Sequence, residues 1–329
     1  MKLTDPRLLF GLLCIVALAA APMVANQGLL FLIGLTMAQA VFALSWNLLF
    51  RYSGIASFGH SMFYGIGAYT MAVIIAHHVP IPFLVSLVIS IALGGGVAFV
   101  IGLIILPRTN GIQLAILTLA LSQLVLLFVS YSDLLGRDEG LSGLTRPRID
   151  MGAFIVDLTS PNGYYYFILI VCTAATAGLL WFVSGSWGRT LLAVAIDAER
   201  AAFLGINVLR QRIAAFTLSG AVAALCGAIV APWAQIVSVD TLSWLNSAQP
   251  MLATLLGGAG SFWGPVTGAF ALALINYMTR TLPGLSELIV GGTLLAVVLL
   301  APAGIYGLVQ TLSRSYRRYS QSSRQGATT

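Results

Sequence analysis

Polar side chains that could contact a small solute are concentrated in one stretch of this chain, residues 53–69. The stretch reads Ser-Gly-Ile-Ala-Ser-Phe-Gly-His-Ser-Met-Phe-Tyr-Gly-Ile-Gly-Ala-Tyr, inside a chain that is otherwise mostly apolar. Hydroxyls and an imidazole can bind charged groups of a solute, or they can satisfy one another inside a packed core. The candidate pathway residues in this stretch are Ser57, His60, Ser61 and Tyr64.

The small residues of the same stretch would share one face if it is helical, because they recur every three or four positions. Such a face lets a second helix backbone approach closely, as membrane helix packing requires. Two interpretations stay open: a packed helix whose polar groups are satisfied internally, or a helix beside a passage for polar solute. Thr118 and Ser122, one turn apart on a later apolar run, could add hydroxyls to such a passage. The small residues are Gly54, Ser57, Ser61, Gly65, Ala68 and Ala72.

The composition places these residues in a membrane. Of 329 residues, 59% are hydrophobic and only 8% are charged, and the mean hydropathy is +0.96. A soluble domain of this length could not cover its surface with so few polar groups. The sequence therefore predicts an all-α fold, a polytopic transmembrane helical bundle of about ten helices.

The apolar runs that support this count are long enough to cross about 30 Å of hydrocarbon, with one exception. The eighth run is short and rich in glycine, so it either crosses or is re-entrant. The first run could pass for a signal peptide, but we predict a retained helix. The runs lie near residues 8–25, 29–50, 55–76, 83–106, 112–132, 164–184, 213–237, 248–260, 262–279 and 285–308.

The distribution of charge predicts an orientation. Arginines favour the cytoplasmic side, and Arg51, Arg108 and the loop 185–211 fall on the side of the N-terminus if every run crosses. The loop 133–163 falls on the opposite side and carries five acids against three arginines. We expect one transmembrane domain, residues 1–312, with both termini cytoplasmic. The loop 133–163 would be periplasmic, and the tail 313–329 would be cytoplasmic and disordered.

The sequence lacks the residues that several kinds of chemistry require. The only lysine is Lys2, so the chain cannot form a P-loop. No Asp or Glu lies in the middle of a predicted span, although ion-driven carriers commonly use one. The cysteines Cys14, Cys172 and Cys226 show no metal-binding spacing. The sequence therefore predicts no catalytic residue, cofactor, metal site or nucleic-acid partner, and a driving energy supplied by another chain.

The loop between the sixth and seventh runs has a helical composition, with many alanines and leucines. We predict one or two short helices, ended by Gly205. Such a helix could lie on the membrane surface or could dock a cytoplasmic partner. The residues that we single out are Asp197, Glu199, Arg200, Ala201, Ala202, Leu204 and Gly205.

Four motifs resemble those of the permeases of high-affinity branched-chain amino acid ABC transporters, and the M-type subunit is the closer match. The first is the stretch 53–69, and the second is 197–208, which is similar to the coupling segment of these permeases. The third is Leu-Leu-Gly-Gly-Ala-Gly-Ser at 255–261, followed by Trp-Gly-Pro at 263–265 and Gly-Ala at 268–269. The fourth is Gly-Leu-Ser-Gly-Leu at 140–144.

The resemblance implies a fold similar to type II ABC importers, embedded in the lipid bilayer. It implies four partner chains: a second, H-type permease subunit, two cytoplasmic ATP-binding subunits and a periplasmic solute-binding protein. Glu199 and Gly205 stand at the acidic and glycine positions of the coupling segment. The glycines that we expect at close helix contacts are Gly54, Gly65, Gly257, Gly258, Gly264 and Gly268.

The leading hypothesis is a permease subunit that translocates branched-chain amino acids in an ATP-driven importer. Related permeases for urea and for other amino or aromatic acids share much of the pattern, and Gly-Arg-Asp-Glu at 136–139 departs from that of many relatives. A stand-alone carrier or channel is a second class. A lipid enzyme is a third, for which His77 and His78 without a neighbouring acid give little support.

Overall fold

The computed structural model describes residues 6–109, 111–150, 155–279, 286–300 and 304–307. Helices dominate these residues, which confirms the predicted all-α class. Ten of the helices match the ten apolar runs, and α7 and α8 lie in the loop between the sixth and seventh runs. The helices are α1 Pro6–Val24, α2 Gln27–Asn47, α3 His60–Ala76, α4 Phe83–Ile105, α5 Ile112–Ser130, α6 Pro161–Ser184, α7 Ser186–Ile196, α8 Ala198–Phe203, α9 Val208–Ala234, α10 Trp244–Gly257, α11 Gly264–Thr279 and α12 Ser286–Leu300.

Five described helices are long and apolar enough to cross a membrane: α2 with its extension to Tyr52, α4, α5, α6 and α9. Shorter apolar helices are Leu13–Val24, His60–Ala76 and Leu288–Val297. Within a bilayer a helix satisfies its own backbone hydrogen bonds, which explains why apolar runs of this length fold in this way. The chain is therefore a multi-pass membrane protein.

The third helix starts later than the apolar pattern indicates. A π-helical turn, Leu48–Tyr52, extends α2, residues 54–59 are not helical, and α3 begins at His60. Gly54 has a φ of +67°, in the left-handed region that favours glycine. The prediction that Gly54 and Ser57 share a helical face with Ser61 and Gly65 was therefore wrong.

Side chains from neighbouring helices satisfy the backbone of this break. Trp46 Nε1 donates a hydrogen bond to the Ser57 carbonyl at 2.8 Å. The Phe58 amide donates to Thr118 Oγ1 at 3.2 Å. Irregular backbone is tolerated at membrane depth where protein groups bind it in this way.

The helix α9 is the centre of the first compact unit, Met1–Met251, and α2, α3 and α4 pack along it. Glycine makes these contacts close. A Cβ on Gly67 would lie 1.9 Å from the Ala224 carbonyl oxygen, and one on Gly227 would lie 1.9 Å from the Tyr64 carbonyl oxygen. The backbones of α3 and α9 therefore touch directly.

One end of this unit carries small strands that the sequence did not predict. Strand β1, Leu141–Ser142, pairs antiparallel with β4, Ile236–Val237. Strand β2, Arg148–Asp150, pairs antiparallel with β3, Ile155–Asp157. His77 Nε2 lies 3.4 Å from the Leu134 carbonyl oxygen at the same end. The turn after α3, the loop 133–163 and the end of α9 thus lie together, and we call this the loop end.

The other loops of this first unit lie at the opposite end. A cavity of about 70 Å³ lies between three elements: the break after α2, the turn between α4 and α5, and the start of α9. A Cβ on Gly54 would lie 3.5 Å from Ala195 Cα of α7. We call this the coupling end. The two groups of loops match the predicted alternation, and which end is cytoplasmic stays a prediction. The cavity is lined by Gly54, Ile55, Leu106, Thr109, Gly111, Leu114 and Arg212.

The second compact unit is Leu252–Thr329. Its described helices approach closely through three of the predicted glycines. A Cβ added to Gly257 would lie 1.7 Å from the Gly264 carbonyl oxygen. One added to Gly264 would lie 1.9 Å from the Gly258 carbonyl oxygen, and one added to Gly268 would lie 1.8 Å from the Ala253 carbonyl oxygen. Gly258 has a φ of +104°. The single domain 1–312 stays a prediction, and the tail 313–329 lies outside the described residues.

Candidate functional site

Three serines from three helices form one hydrogen-bonded cluster, and two of them contact the same carbonyl group. Ser247 Oγ, on the first turn of α10, donates to Ser61 Oγ at 2.6 Å and accepts from the Ser61 amide at 2.9 Å. Ser61 Oγ and Ser122 Oγ lie 3.2 Å apart, and they lie 3.1 and 3.2 Å from the Leu242 carbonyl oxygen. All three serine side chains are buried. We call these residues the serine cluster.

His60 belongs to a second buried network. Its Nε2 lies 2.8 Å from Ser45 Oγ, which donates its own proton to the Phe42 carbonyl at 2.7 Å. Nε2 therefore carries the imidazole proton and donates it, an assignment that follows from the hydrogen-bond network. His60 Nδ1 is then an acceptor, and it has no hydrogen-bond partner. Ser219 Oγ donates to the Ser45 carbonyl at 2.6 Å and ties the network to α9.

The remaining candidate residues are also buried but lie apart from these networks. Tyr64 is 7% exposed, and its ring is 5.0 Å from that of Phe42. Thr118 Oγ1 donates to the Ala115 carbonyl at 2.9 Å. Ser57 is fully buried, and its Oγ has no hydrogen-bond partner.

The structure therefore brings the Ser61 and Ser122 hydroxyls into contact, whereas the contacts found for Ser57, His60, Tyr64 and Thr118 are with other groups. Most of these hydroxyls are satisfied within the protein, as a packed helix requires. That the six residues line a passage stays a prediction.

Sequence reasoning missed four residues of these networks, Ser45, Ser219, Leu242 and Ser247. Ser45 and Ser219 lie in apolar runs, and none of the four residues belongs to a recognised motif. Their partners lie far along the chain, as with Ser61 and Ser247, which are 186 positions apart. A serine in the middle of an apolar run was the one available signal for Ser45 and Ser219, because a buried hydroxyl needs a partner.

The segment between α7 and α9 has well-defined helix ends. Asp197 caps α8, since its Oδ1 accepts from the Arg200 amide at 3.0 Å and its Oδ2 lies 2.8 Å from Arg200 Nε. Gly205 has a φ of +82°. Its amide donates to the Ala202 carbonyl, and the Ile206 amide donates to that of Ala201. This is a Schellman motif, so the predicted stop at Gly205 is confirmed.

An apolar surface is exposed on this segment. Ala201 is 2% exposed and anchors α8, while Ile196, Phe203 and Leu204 are 80%, 91% and 80% exposed. Glu199, Arg200 and Ala202 are exposed as well. Large exposed apolar side chains beside charged ones are typical of a surface that binds a partner. We call residues 196–205 the coupling segment.

At the loop end, the loop 133–163 is fastened to α9. The Leu144 amide donates to the Gln235 carbonyl at 3.2 Å. The guanidinium carbon of Arg146 lies 4.9 Å from the centre of the Trp233 ring, a cation–π contact. Burial lowers the pKa of the Arg146 guanidinium from its usual value. Trp233 Nε1 donates to the Phe31 carbonyl at 3.1 Å, so one indole joins the loop, α2 and α9.

Comparison with known proteins decides the family. The sequence pattern of the family described as "Branched-chain amino acid transport system / permease component" matches residues 28–298. The chain belongs to this family. The resemblance that the motifs indicated is thereby confirmed, and the family match runs from α2 into α12.

Individual permeases of the family are similar over most of the chain. LivM, a permease protein of the high-affinity branched-chain amino acid transport system of Escherichia coli K12, is 25% identical over 317 residues, 90% of this chain and 74% of that protein. BraD, a permease protein of the corresponding system of Pseudomonas aeruginosa, is 25% identical over 292 residues, 83% of this chain and 94% of that protein.

A shorter similarity reaches a sugar permease. FrcC, a fructose import permease protein of Rhizobium meliloti, is 32% identical over 130 residues, 36% of this chain and 33% of that protein. No solved structure matched the chain. The relatives are transport permeases, and a permease role for this family member follows.

Among the described residues, no group of three His, Cys, Asp or Glu side chains could hold a metal ion. Cys14, Cys172 and Cys226 are free cysteines, and the last two are buried.

Proposed function

We propose that this chain is a permease subunit of an ATP-driven importer that moves branched-chain amino acids across a bacterial inner membrane. The observation that carries the proposal is the coupling segment, a short capped helix with exposed apolar residues on a membrane protein that lacks a P-loop lysine. Such a surface suits a partner that hydrolyses ATP. The names of the relatives support the solute class.

The proposed assembly contains this chain, an H-type permease, two cytoplasmic ATP-binding subunits and a periplasmic solute-binding protein. In this arrangement the coupling end faces the cytoplasm and both termini are cytoplasmic. The loop end would receive solute from the binding protein. Arginines at the coupling end, such as Arg51 and Arg108, support this orientation.

The contacts of the coupling end suggest how movement would reach the membrane helices. The helix α7 lies against Gly54 in the break that precedes α3. Because residues 54–59 are held by side-chain contacts and not by helical hydrogen bonds, they can change shape at lower cost than a continuous helix. Movement of the coupling segment would then shift the start of α3 and its contacts with Thr118 of α5.

We further propose that Ser57, His60, Ser61, Tyr64, Thr118 and Ser122 border the solute pathway in an open state. Alanine substitution at Ser61 or Ser122 is expected to lower the rate of uptake and not the binding of ATPase subunits. Uptake that is unchanged in both variants would remove these residues from the pathway.

The proposal is tested by co-purifying the chain with its partner subunits and measuring uptake of labelled leucine into proteoliposomes with ATP inside. We expect uptake that requires ATP and the binding protein. Glu199→Lys should reduce co-purification of the ATPase subunit and uptake severalfold, while the control Glu139→Lys, on the external loop, should retain both. Normal co-purification and uptake in Glu199→Lys would contradict the docking role.

Competition experiments distinguish the solute classes. Excess unlabelled isoleucine or valine should suppress leucine uptake, whereas urea, aromatic amino acids and fructose should not. Fructose is included because of the partial similarity to a fructose permease. Ion-driven leucine flux through this chain alone, without ATP, would instead indicate a secondary carrier.

A further inference from the structure

The link between α9 and α10, residues 238–243, folds back into the helix bundle. Strand β4 ends at Val237 at the loop end, where it pairs with Leu141. Only five residues later, Leu242 is fully buried against Gly65. Gly65 precedes the end of α3 by eleven residues, so Leu242 lies roughly 16 Å along α3 from its loop end. The link is therefore re-entrant.

Leu242 is held both by its side chain and by its backbone. A Cβ on Gly65 would lie 2.2 Å from Leu242 Cδ2. Because glycine has no side chain, the Leu242 side chain can pack directly against the backbone of α3 at this position. The Leu242 carbonyl accepts from Ser61 of α3 and Ser122 of α5. One residue is thus bonded to both α3 and α5.

Polar atoms near the link lack hydrogen-bond partners. Tyr69 is 4% exposed, and its hydroxyl has no hydrogen-bond partner. The Nε2 atom of the half-buried Gln123, which follows Ser122 in the sequence of α5, has none either. Buried polar groups without partners are rare in native proteins and call for an explanation. The exposed carboxylate of Asp240 lies on the link, two residues before Leu242. These groups would gain partners if water or a polar solute entered beneath the link.

We propose that residues 238–243 are a gate: Leu242 closes a passage between α3 and α5, and its withdrawal exposes Ser61, Ser122 and Tyr69 to a zwitterionic solute. Asp240, at the entrance, supplies a carboxylate for the ammonium group of that solute. The inference rests on the proposed amino-acid transport. It assigns the pathway to one movable link and explains why the serine cluster is fully buried in this closed state.

The first test does not depend on the solute. In the assembled complex, Ser122→Cys should react slowly with a membrane-impermeant thiol reagent, and adding Leu242→Ala should accelerate the reaction severalfold. Ser90→Cys is the matched control, because Ser90 is equally buried on α4 and does not contact the link. Equal reactivity of Ser122→Cys with and without Leu242→Ala, or equal acceleration at Ser90→Cys, would overturn the gate.

The second test locks the link. The Cβ of Leu242 is bonded to Cγ, which lies 2.6 Å from an added Cβ on Gly65. The two Cβ atoms of Gly65→Cys and Leu242→Cys therefore lie within about 4 Å, as a disulfide requires. Oxidation should stop leucine uptake, and reduction should restore it. Failure of the disulfide to form, or undiminished uptake by the cross-linked protein, would refute the gate.

The two tests separate the inference from the proposed function. If the complex without substitutions transports no amino acid, the proposed function fails, and thiol labelling of Ser122→Cys still decides whether the link opens. If leucine is transported but labelling does not depend on Leu242, the gate fails and the proposed function stands.

Discussion

Replacing Gly67 by alanine should destabilise the protein through the contact between α3 and α9. The added Cβ would lie 1.9 Å from the Ala224 carbonyl oxygen and 2.6 Å from Ala224 Cα, both backbone atoms. Cβ atoms essentially never approach within 3.0 Å of such atoms, so the helices must separate by about 1 Å. Overpacking of this kind costs about 1–3 kcal/mol.

Gly96→Ala is the matched control, because Gly96 is also in a membrane-spanning helix and an added Cβ meets no atom within 4 Å. There the better helix propensity of alanine should be neutral or stabilise by about 0.5–1 kcal/mol. The two variants should thus differ by about 1–4 kcal/mol in the free energy of unfolding.

Thermal unfolding in detergent, followed with a thiol-reactive fluorophore, measures this difference. Cys172 and Cys226 are buried and should react only when the helices separate. By the scaling of soluble domains, about 2.1 cal/mol/K of unfolding entropy per residue, the melting temperatures should differ by roughly 1–6 °C. If Gly67→Ala and Gly96→Ala melt together, the backbones of α3 and α9 are not in direct contact, and the reasoning fails.

Three further predictions concern the buried network around His60, the coupling segment and the loop 133–163. Ser45→Ala should lower stability by about 1–3 kcal/mol in the same assay, because the His60 Nε2–H loses its buried acceptor. Phe203→Ala should leave stability within about 0.5 kcal/mol, since the ring is 91% exposed. It should nevertheless reduce co-purification of the ATPase subunit severalfold. Arg146→Ala should destabilise by about 0.5–2 kcal/mol through the lost contact with Trp233.

Each of these variants has a control in the chain. Thr70→Ala removes a hydroxyl that bonds only within its own helix, to the Ile66 carbonyl, and should cost less than Ser45→Ala. Tyr131→Ala removes an exposed aromatic ring from the end of α5 and should not affect ATPase binding. Arg148→Ala breaks only an exposed ion pair with Asp157. A variant that matches its control would contradict the role assigned to the residue.

The helices could be predicted because their signals are local. The apolar runs gave ten segments, nine of them of membrane-crossing length, and all ten correspond to helices of the structure. The end of α8 was predictable for the same reason, since Gly205 ends a helix through the conformation of one residue.

The break before α3 could not be predicted from such signals. Residues 54–59 fit a helical pattern, and only the distant donors and acceptors on Trp46 and Thr118 make the irregular backbone favourable. Likewise, Leu242 and Ser247 joined the candidate site through contacts across 120 to 186 positions. A single sequence carries no direct record of such contacts.

The contact between α3 and α9 also has a consequence for the biogenesis of the protein. Gly227 follows its partner region around Gly67 by about 160 residues. At about 5–20 residues per second, the ribosome completes α9 roughly 10–30 s after α3. During this interval α3 waits in the membrane with Ser61 lacking both Leu242 and Ser247. The yield of folded protein should therefore depend on how well the insertion machinery shelters these early helices from lipid.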